Sequence, residues 1–532
     1  MSARPHKHFN TTGPCVPDKH YMLPVLPRLP QVADMIEGEF YFILHAPRQS
    51  GKTTFLDNLT DTINNSGNMY ALYCSLASLR PVKDRAEAII TIASEINEAM
   101  RTSNVGIIRQ KAFQYDSLPG MAAPNLKVKI MLNRLCQELD RDLAVFFDEA
   151  DLLTGPGLLT FLAQIRDGFN SRHKPGNKFP RSLALVGMRD IRDYIASEHP
   201  ESSGEHLASP FNIIKKTLTL ANFDADEIKS LYRQHTEATG QIFEGSAVAR
   251  AWFWSEGQPW LVNTLADTVI VDELRNDFTV NVTGDHIDQA AEILIKRRDT
   301  HIDSLLARLK EPRVKNIMES VLAGTMANVS PDNDDSRFCR DLGLLSLTEE
   351  KLLRPSNPIY KEVIIRTLTD QIGKFIPVTP YKIWTDGKNL MLSDLLKEFQ
   401  IFWRKNMDAR AKRLSLLKII QYDEANHVII LFSFLQRALN SGAIINHEYA
   451  EGRGAVDLCA LYNGREYLVE VKLEDAEPLE ESLDQLSRYL ETAGEKEGWL
   501  VIFNKNQKKQ LNDKFYIKIQ QFKGKTIHIF GC

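Results

Sequence analysis

The run Phe40-Tyr41-Phe42-Ile43-Leu44, followed after His45 by Ala46-Pro47-Arg48-Gln49-Ser50-Gly51-Lys52-Thr53-Thr54, decides how this chain is read. Its apolar half predicts a short buried strand, and its second half predicts a phosphate-binding loop that opens a helix over 55–64. The pattern GxxxxGK[ST] asks for glycine first. Ala46 stands there instead, at little cost where φ is negative, while Gly51, Lys52 and Thr53 keep the half that acts on phosphate. In such a loop backbone N–H groups curl about the phosphates, the lysine reaches the β and γ oxygens, and the hydroxyl after it ligates Mg2+. Ala46 to Thr54 is therefore the candidate nucleotide site, with ATP and Mg2+ as its expected ligands.

Leu143-Ala144-Val145-Phe146-Phe147 is apolar at every position, as a strand buried on both faces must be, and it ends in Asp148-Glu149. At the carboxyl end of a parallel strand Asp148 would hold the Mg2+ shell and Glu149 would polarise the attacking water. Loop and acidic pair together predict an NTPase sheet of the kind with an added central strand. A third apolar run, Leu183 to Gly187, leads into Met188-Arg189-Asp190, which makes Arg189 the candidate γ-phosphate sensor. Arg166 and Arg172 are weaker candidates for an arginine donated to a neighbouring copy. After Leu220 the pattern turns helical: Asp224 to Gly240 has helical apolar spacing, and Pro259 in Gly257-Gln258-Pro259-Trp260 suits a first helical turn. The expected order is an amino-terminal segment over 1–35, the ATPase core over 36–220 and a small helical lid over 221–300.

Residues 301–369 read as helix, hairpin and helix, the order of a winged-helix module. Asp332, Asp334 and Asp335 make one flank acidic, so packing is favoured over DNA contact there. Proline, glycine and short polar runs predict a linker over 370–410. A second α/β domain is expected over 411–532. Within it two alternating runs flank Asn463-Gly464, the dipeptide that favours a two-residue hairpin turn. Tyr462 then faces Arg465, which sets Asp457 opposite Glu470, two carboxylates about 5 Å apart on one face. A divalent cation removes the repulsion. Lys472 projects from the same face because strand periodicity is two. Two carboxylates and a lysine are what metal-assisted phosphodiester hydrolysis needs. Glu424, at the start of an amphipathic helix, would complete the metal shell, and Gln485 and Tyr489 would face the same cleft. The plain alternative pairs Asp457 and Glu470 with Arg453 and Arg465.

At 532 residues the chain has room for three to four domains of roughly 150 residues each. No stretch approaches about 18 uncharged apolar residues, which excludes a membrane-spanning helix. The start lacks an apolar run after its charges, so no secretory signal is expected. Six cysteines without a CxxC pair suit a reducing, cytoplasmic compartment and offer no zinc framework. A net charge of −4 excludes a protein that coats nucleic acid, leaving only local basic clusters: one from Arg404 to Lys418, another from Lys505 to Lys525.

Asp457 with Glu470-Val471-Lys472 resembles the PD-(D/E)XK nuclease signature, and Gln485 to Tyr489 resembles the QxxxY element of its archaeal-resolvase-like branch. The phosphate loop, Asp148-Glu149, Gly257-Gln258-Pro259 and Asn357-Pro358-Ile359-Tyr360-Lys361-Glu362-Val363 are similar to prokaryotic AAA-like ATPases that carry such a nuclease at the carboxyl end. The resemblance covers nearly the whole chain, departing at Ala46 and at Val456, where the nuclease signature has proline. It implies an α/β protein: a P-loop AAA-like parallel sheet with helical lid and winged helix, then an α/β PD-(D/E)XK nuclease domain. It also implies a role in defence against mobile DNA. The expectation is an ATP-controlled nuclease acting on DNA with Mg2+ or Mn2+. Its catalytic residues would be Glu149, Asp457, Glu470 and Lys472, and its metal ligands Thr53, Asp148, Glu424, Asp457 and Glu470. A homo-oligomer through the ATPase domain is expected, and no membrane partner. The alternative is a regulatory NTPase whose nuclease-like domain binds DNA or a partner without cutting.

Overall fold

Strands that are apolar at every position need cover on both faces, and in the computed structural model of this chain they form a parallel sheet with helices on each side. The structure describes the chain except residues 1–6, 25, 80–81, 83, 116–122, 189–211, 298–299, 323–329, 350, 374–383, 408–423, 439–443, 452–453, 474–477 and 505–510. The chain divides into two compact units, Met1–Lys296 with Phe338–Leu344, and Arg297–Arg337 with Leu345–Cys532.

The first unit holds β1 (Tyr41–His45), β2 (Tyr70–Ser75), β3 (Leu143–Asp148), β4 (Ser182–Gly187) and β5 (Ile214–Thr219) in the order β2-β3-β4-β1-β5, all parallel. Thus β4 lies between β1 and β3, the added central strand expected from the sequence. Alternation along each strand sends side chains to two cores. Val145 and Phe147 join Leu72 and Leu185 under the helices Arg85–Thr102, Pro124–Glu138 and Gly155–Ser171. Ala144 and Phe146 join Phe42 and Leu44 under the helices Gln31–Glu37 and Lys52–Ser66.

Beyond β5 the helices Ala225–Thr239, Gly245–Ser255, Pro259–Asp267 and Gly284–Arg297 follow. Asp224 caps the first through a reciprocal box with Glu227, and Gln258 caps the third by accepting the Leu261 N–H at 2.6 Å. The amino-terminal segment lies against these helices. Trp260 donates to the Thr11 carbonyl at 2.9 Å, the Tyr21 hydroxyl meets His235 Nδ1 at 3.2 Å, and Phe9 packs edge-on against Tyr232.

In the second unit a six-stranded sheet has the order β12-β13-β11-β10-β9-β8. Its members are β8 (Ile444–Glu451), β9 (Gly454–Tyr462), β10 (Arg465–Leu473), β11 (Glu497–Phe503), β12 (Ile517–Phe522) and β13 (Lys525–Gly531). β8, β9 and β10 are antiparallel, β10, β11 and β13 are parallel, and β12 returns antiparallel along the edge. Leu483, Leu486 and Leu490 of the helix Leu479–Thr492 cover one face. The unit also contains the short antiparallel pair β6 (Leu345–Leu347) and β7 (Leu353–Pro355) and the helix Pro358–Gly373, which packs against the helix Glu424–Ala438.

One stretch departs from the sequence reading. Within the expected linker over 370–410, Leu392–Met407 is a helix packed on β13. Phe399 and Trp403, one helical turn apart, meet Phe434 and Phe503 at 5.3 and 5.2 Å between ring centroids, and Gln400 donates to the Gly531 carbonyl at 2.6 Å. Among the described residues no helix is long and apolar enough to cross a membrane.

Gly257 turns the chain into the helix Pro259–Asp267 at φ +73°, and a Cβ there would lie 1.8 Å from the Phe223 carbonyl oxygen. Gly257→Ala is expected to destabilise the first unit by about 2 kcal/mol or more, from backbone strain alone. Thermal or urea denaturation checks this; an unchanged midpoint would show that the Phe223 carbonyl gives way freely.

Candidate functional sites

The first site forms where β1 and β3 end. Gln49 and Gly51 both take left-handed backbone, φ +56° and +87°, and curl the loop before the helix begins at Lys52. An ideal Cβ on Gly51 would meet nothing within 4 Å, so it is the left-handed backbone and not crowding that calls for glycine there. Ala46 is fully buried and is not among the residues with positive φ, which is why the missing glycine is tolerated. Ser50 donates to the Pro47 carbonyl at 2.8 Å, and Lys52 Nζ donates to the carbonyls of Ala46 and Pro47, each at 2.7 Å. Burial pulls the Lys52 ammonium down to about 8, against the opposing charges of Asp148, Asp151 and Glu149. The helix Pro259–Asp267 reaches the loop through its cap, Gln258 Nε2, 3.3 Å from the Gln49 carbonyl, and the amino-terminal segment does so through the Cys15 N–H, 2.9 Å from Thr54 Oγ1.

Asp148 is 2% exposed and its carboxylate is held on both oxygens. Oδ2 accepts from Thr53 Oγ1 at 2.8 Å and from the Tyr73 hydroxyl at 3.1 Å, while Oδ1 accepts the Glu149 N–H at 2.9 Å. Glu149 itself has φ +56°, unusual for a residue with a side chain and typical of positions held for function. Asp57, one turn into the loop helix, is pushed up to about 6 by burial and then by the charges of Asp148 and Asp61.

The second site lies on β9 and β10. Asn463 and Gly464 both have positive φ, as the two-residue turn requires, and the ladder runs from Arg465 opposite Tyr462 to Val469 opposite Leu458. Asp457 and Glu470 follow directly. Asp457 Oδ2 accepts the Val471 N–H at 2.7 Å, which fixes that carboxylate to the neighbouring strand. Glu470 is 1% exposed; its Oε1 is 3.1 Å from Lys472 Nζ, and its Oε2 is buried with no hydrogen-bond partner among the described residues. Burial, then the Asp457 charge, pushes Glu470 up to about 8, with Lys472 pulling the other way.

Three comparisons with known proteins bear on these sites. Residues 37–195 match the AAA domain family. That span contains the loop, Asp148 and Glu149, and the chain carries a P-loop domain of AAA type at its amino-terminal end. Residues 416–507 match a domain of unknown function (DUF8371) that spans Asp457, Glu470 and Lys472. Comparison with curated proteins finds no match. Among solved structures, the Walker-type ATPase of Pyrococcus abyssi is similar at 16% identity, covering 64% of this chain and 96% of that one, with a TM-score of 0.43. The ORC2 protein of Aeropyrum pernix is similar at 13% identity over 65% and 95%, TM-score 0.35, and the RuvB Holliday junction branch migration motor of Thermotoga maritima at 14% over 62% and 92%, TM-score 0.34.

Other expected residues fare unevenly. In the AAA domain Arg189 lies outside the described residues, and Arg172 is engaged locally, its guanidinium 3.6 Å from the Phe169 ring centroid. At the second site Glu424 begins its helix as expected, but its side chain is outside the described residues. Gln485 donates to the Tyr489 hydroxyl at 3.0 Å, and Tyr489 packs against the apolar cluster around Leu486 and Val456. Arg453 is outside the description, while Arg465 is held by Glu495 and Glu497 at 3.3 and 3.0 Å. Among the described residues, which do not include the Glu424 side chain, no group of three or more His, Cys, Asp and Glu is placed to hold a metal ion. The orphaned Glu470 Oε2 fits such an ion. In the carboxyl-terminal basic cluster, Lys523 pairs with Asp484, Lys525 donates to the Glu495 carbonyl at 2.6 Å, and Lys514 is buried.

Two residues escaped the sequence reading. Tyr73 lies on a strand, Tyr70–Ser75, that no motif in the sequence marked, and its hydroxyl reaches Asp148. Lys361 is a cation on a largely apolar helix; burial pulls it down to about 8, while the charges of Glu362 and Asp457 hold it up.

The raised Glu470 predicts a pH dependence. A carboxyl whose folded value lies above its ordinary 4.5 favours the folded state at low pH, and that stability is lost as pH rises toward about 8. Without divalent metal, the melting midpoint of the carboxyl-terminal unit is expected to fall across this window, and Glu470→Gln to flatten the fall and melt higher than wild type at pH 8. Parallel pH profiles for the two proteins would count against the burial argument.

Proposed function

We propose that the chain is an ATP-hydrolysing protein whose carboxyl-terminal unit is a Mg2+-dependent phosphodiesterase acting on DNA, with nucleotide state controlling cleavage. The AAA-domain match and the bond between Thr53 and Asp148 support the first half. In such a site Lys52 would exchange its loop carbonyls for phosphate oxygens, Thr53 and Asp148 would hold Mg2+, and Glu149 would orient water.

The observation that carries the second half is the buried, unsatisfied Glu470 Oε2 between Asp457 and Lys472. Desolvating a carboxylate next to another carboxylate is unfavourable for folding, and a cation shared by the two offsets it. Mg2+ or Mn2+ held by Asp457 and Glu470 would supply a polarised phosphoryl oxygen and an activated water. Lys472, oriented by Glu470, would set its ammonium against the phosphate charge. Asp457 would stay fixed by the Val471 N–H. Assembly into a homo-oligomer through the AAA domain and a role against mobile DNA belong to the same reading. A second reading is that this unit binds DNA or a partner without cutting.

The test incubates the purified protein with linear, circular and single-stranded DNA, with Mg2+ or Mn2+ and with or without ATP. Lys472→Ala is expected to reduce cleavage by about 100-fold or more, the usual loss when a transition-state charge partner is removed. Lys52→Ala is expected to abolish the response to ATP. Cleavage untouched by Lys472→Ala would remove the assigned site, and ATP-dependent cleavage surviving Lys52→Ala would remove nucleotide control.

A further inference from the structure

Asp148 is expected to act on Mg2+ together with Thr53, and the groups that orient a metal-associated carboxylate tune it nearly as strongly as the carboxylate itself. Three donors orient Asp148. Thr53 belongs to the loop, and the Glu149 N–H is a consequence of chain geometry. The third comes from a strand with no part in the sequence motifs: Tyr73, on β2, whose hydroxyl lies 3.1 Å from Asp148 Oδ2.

The sheet explains how it gets there. In the β2–β3 register Ser75 is opposite Asp148 and Tyr73 is opposite Phe146, so Tyr73 and Asp148 are offset by two residues along neighbouring parallel strands. Tyr73 packs against the core that includes Phe42, Phe55 and Phe146, on the side covered by the loop helix. That packing fixes the ring and leaves the hydroxyl as the adjustable end. Thr53 donates to the same oxygen at 2.8 Å, so Oδ2 is held from both sides before any ligand arrives.

We propose that Tyr73 is a positioning residue of the nucleotide site, holding Asp148 Oδ2 in the orientation that Mg2+ with a nucleoside triphosphate requires. The inference rests on the nucleotide-binding reading above. Removing the hydroxyl leaves Asp148 Oδ2 held by Thr53 alone and weakens the metal-dependent part of nucleotide binding, while the phosphate contacts of Lys52 and the loop are untouched.

The experiment titrates Mg2+ into the full-length protein in the presence of a fluorescent ATP analogue, and separately measures binding of that analogue in EDTA. Tyr73→Phe is expected to raise the Mg2+ concentration at half-saturation by about 10-fold, the lower end of the range for outer-shell substitutions, with metal-free binding unchanged. An unchanged Mg2+ titration in Tyr73→Phe overturns the proposal, as does a loss of metal-free binding of the same size, which would trace the effect to the loop and its packing rather than to Asp148. A phenylalanine variant that no longer folds assigns the hydroxyl to stability and overturns it too. Wild-type protein that binds no nucleotide with Mg2+ would instead overturn the nucleotide reading on which this one stands.

Discussion

The hydrogen bond from Thr53 to Asp148 joins two strands that are not neighbours. Thr53 follows β1, Asp148 ends β3, and β4 lies between them. A 2.8 Å contact across an intervening strand is possible because both segments leave the sheet at its carboxyl edge, where the loop helix turns back to pack on β2. Every other feature of the amino-terminal site depends on that arrangement. The left-handed Gln49 and Gly51 bring the chain back toward the edge, and Ala46 can be small and buried because β4 is close enough for its Gly187 carbonyl to accept the Ala46 N–H at 3.2 Å. Gly187 in turn has no room for a side chain: a Cβ there would lie 2.7 Å from Asp151 Oδ1. The close approach of β4 to the Asp148 segment is thus built into the residue at its end.

This half of the molecule was legible in the sequence because its chemistry is local. Phosphate recognition needs glycine, lysine and a hydroxyl in one short loop, and an acidic pair after a buried strand is equally compact. Tyr73 was not legible, since its role depends on β2 pairing with β3 in a register that no local pattern specifies. The hairpin of the second unit was readable for the opposite reason: Asn463-Gly464 fixes a register through its turn, and the register then carries to Leu458 and Val469. The placement of Lys361 depends instead on tertiary packing of the helix Pro358–Gly373. The helix Leu392–Met407 was hidden by the proline- and glycine-rich residues before it, although Leu395, Leu396, Phe399 and Trp403 have helical spacing and are all buried. Composition there outweighed periodicity, and periodicity was the better guide to what the segment buries.

The two sites hold their carboxylates in opposite ways, and the contrast bears on what each is built to do. Asp148 is buried but satisfied, with three donors on two oxygens, so its burial is compensated within the protein. Glu470 is buried and half satisfied, with Lys472 on one oxygen and none of the described residues on the other. Two other acids of the same unit, Glu362 and Glu466, also carry a buried oxygen without a hydrogen bond among the described residues; Glu362 lies beside Arg366 at 3.4 Å, whereas Glu470 lies beside a second carboxylate, Asp457. A sheet selected for stability alone would place an apolar residue at position 470, because an incompletely paired buried charge is worse than a well-packed hydrophobic one. The carboxyl is instead retained next to a second carboxylate and a lysine, on a strand whose neighbours Val469 and Val471 are buried as an ordinary core requires. What sets Glu470 apart is that two carboxylates and a lysine meet there. In the reading proposed above, that meeting point is where a cation from outside the fold would sit.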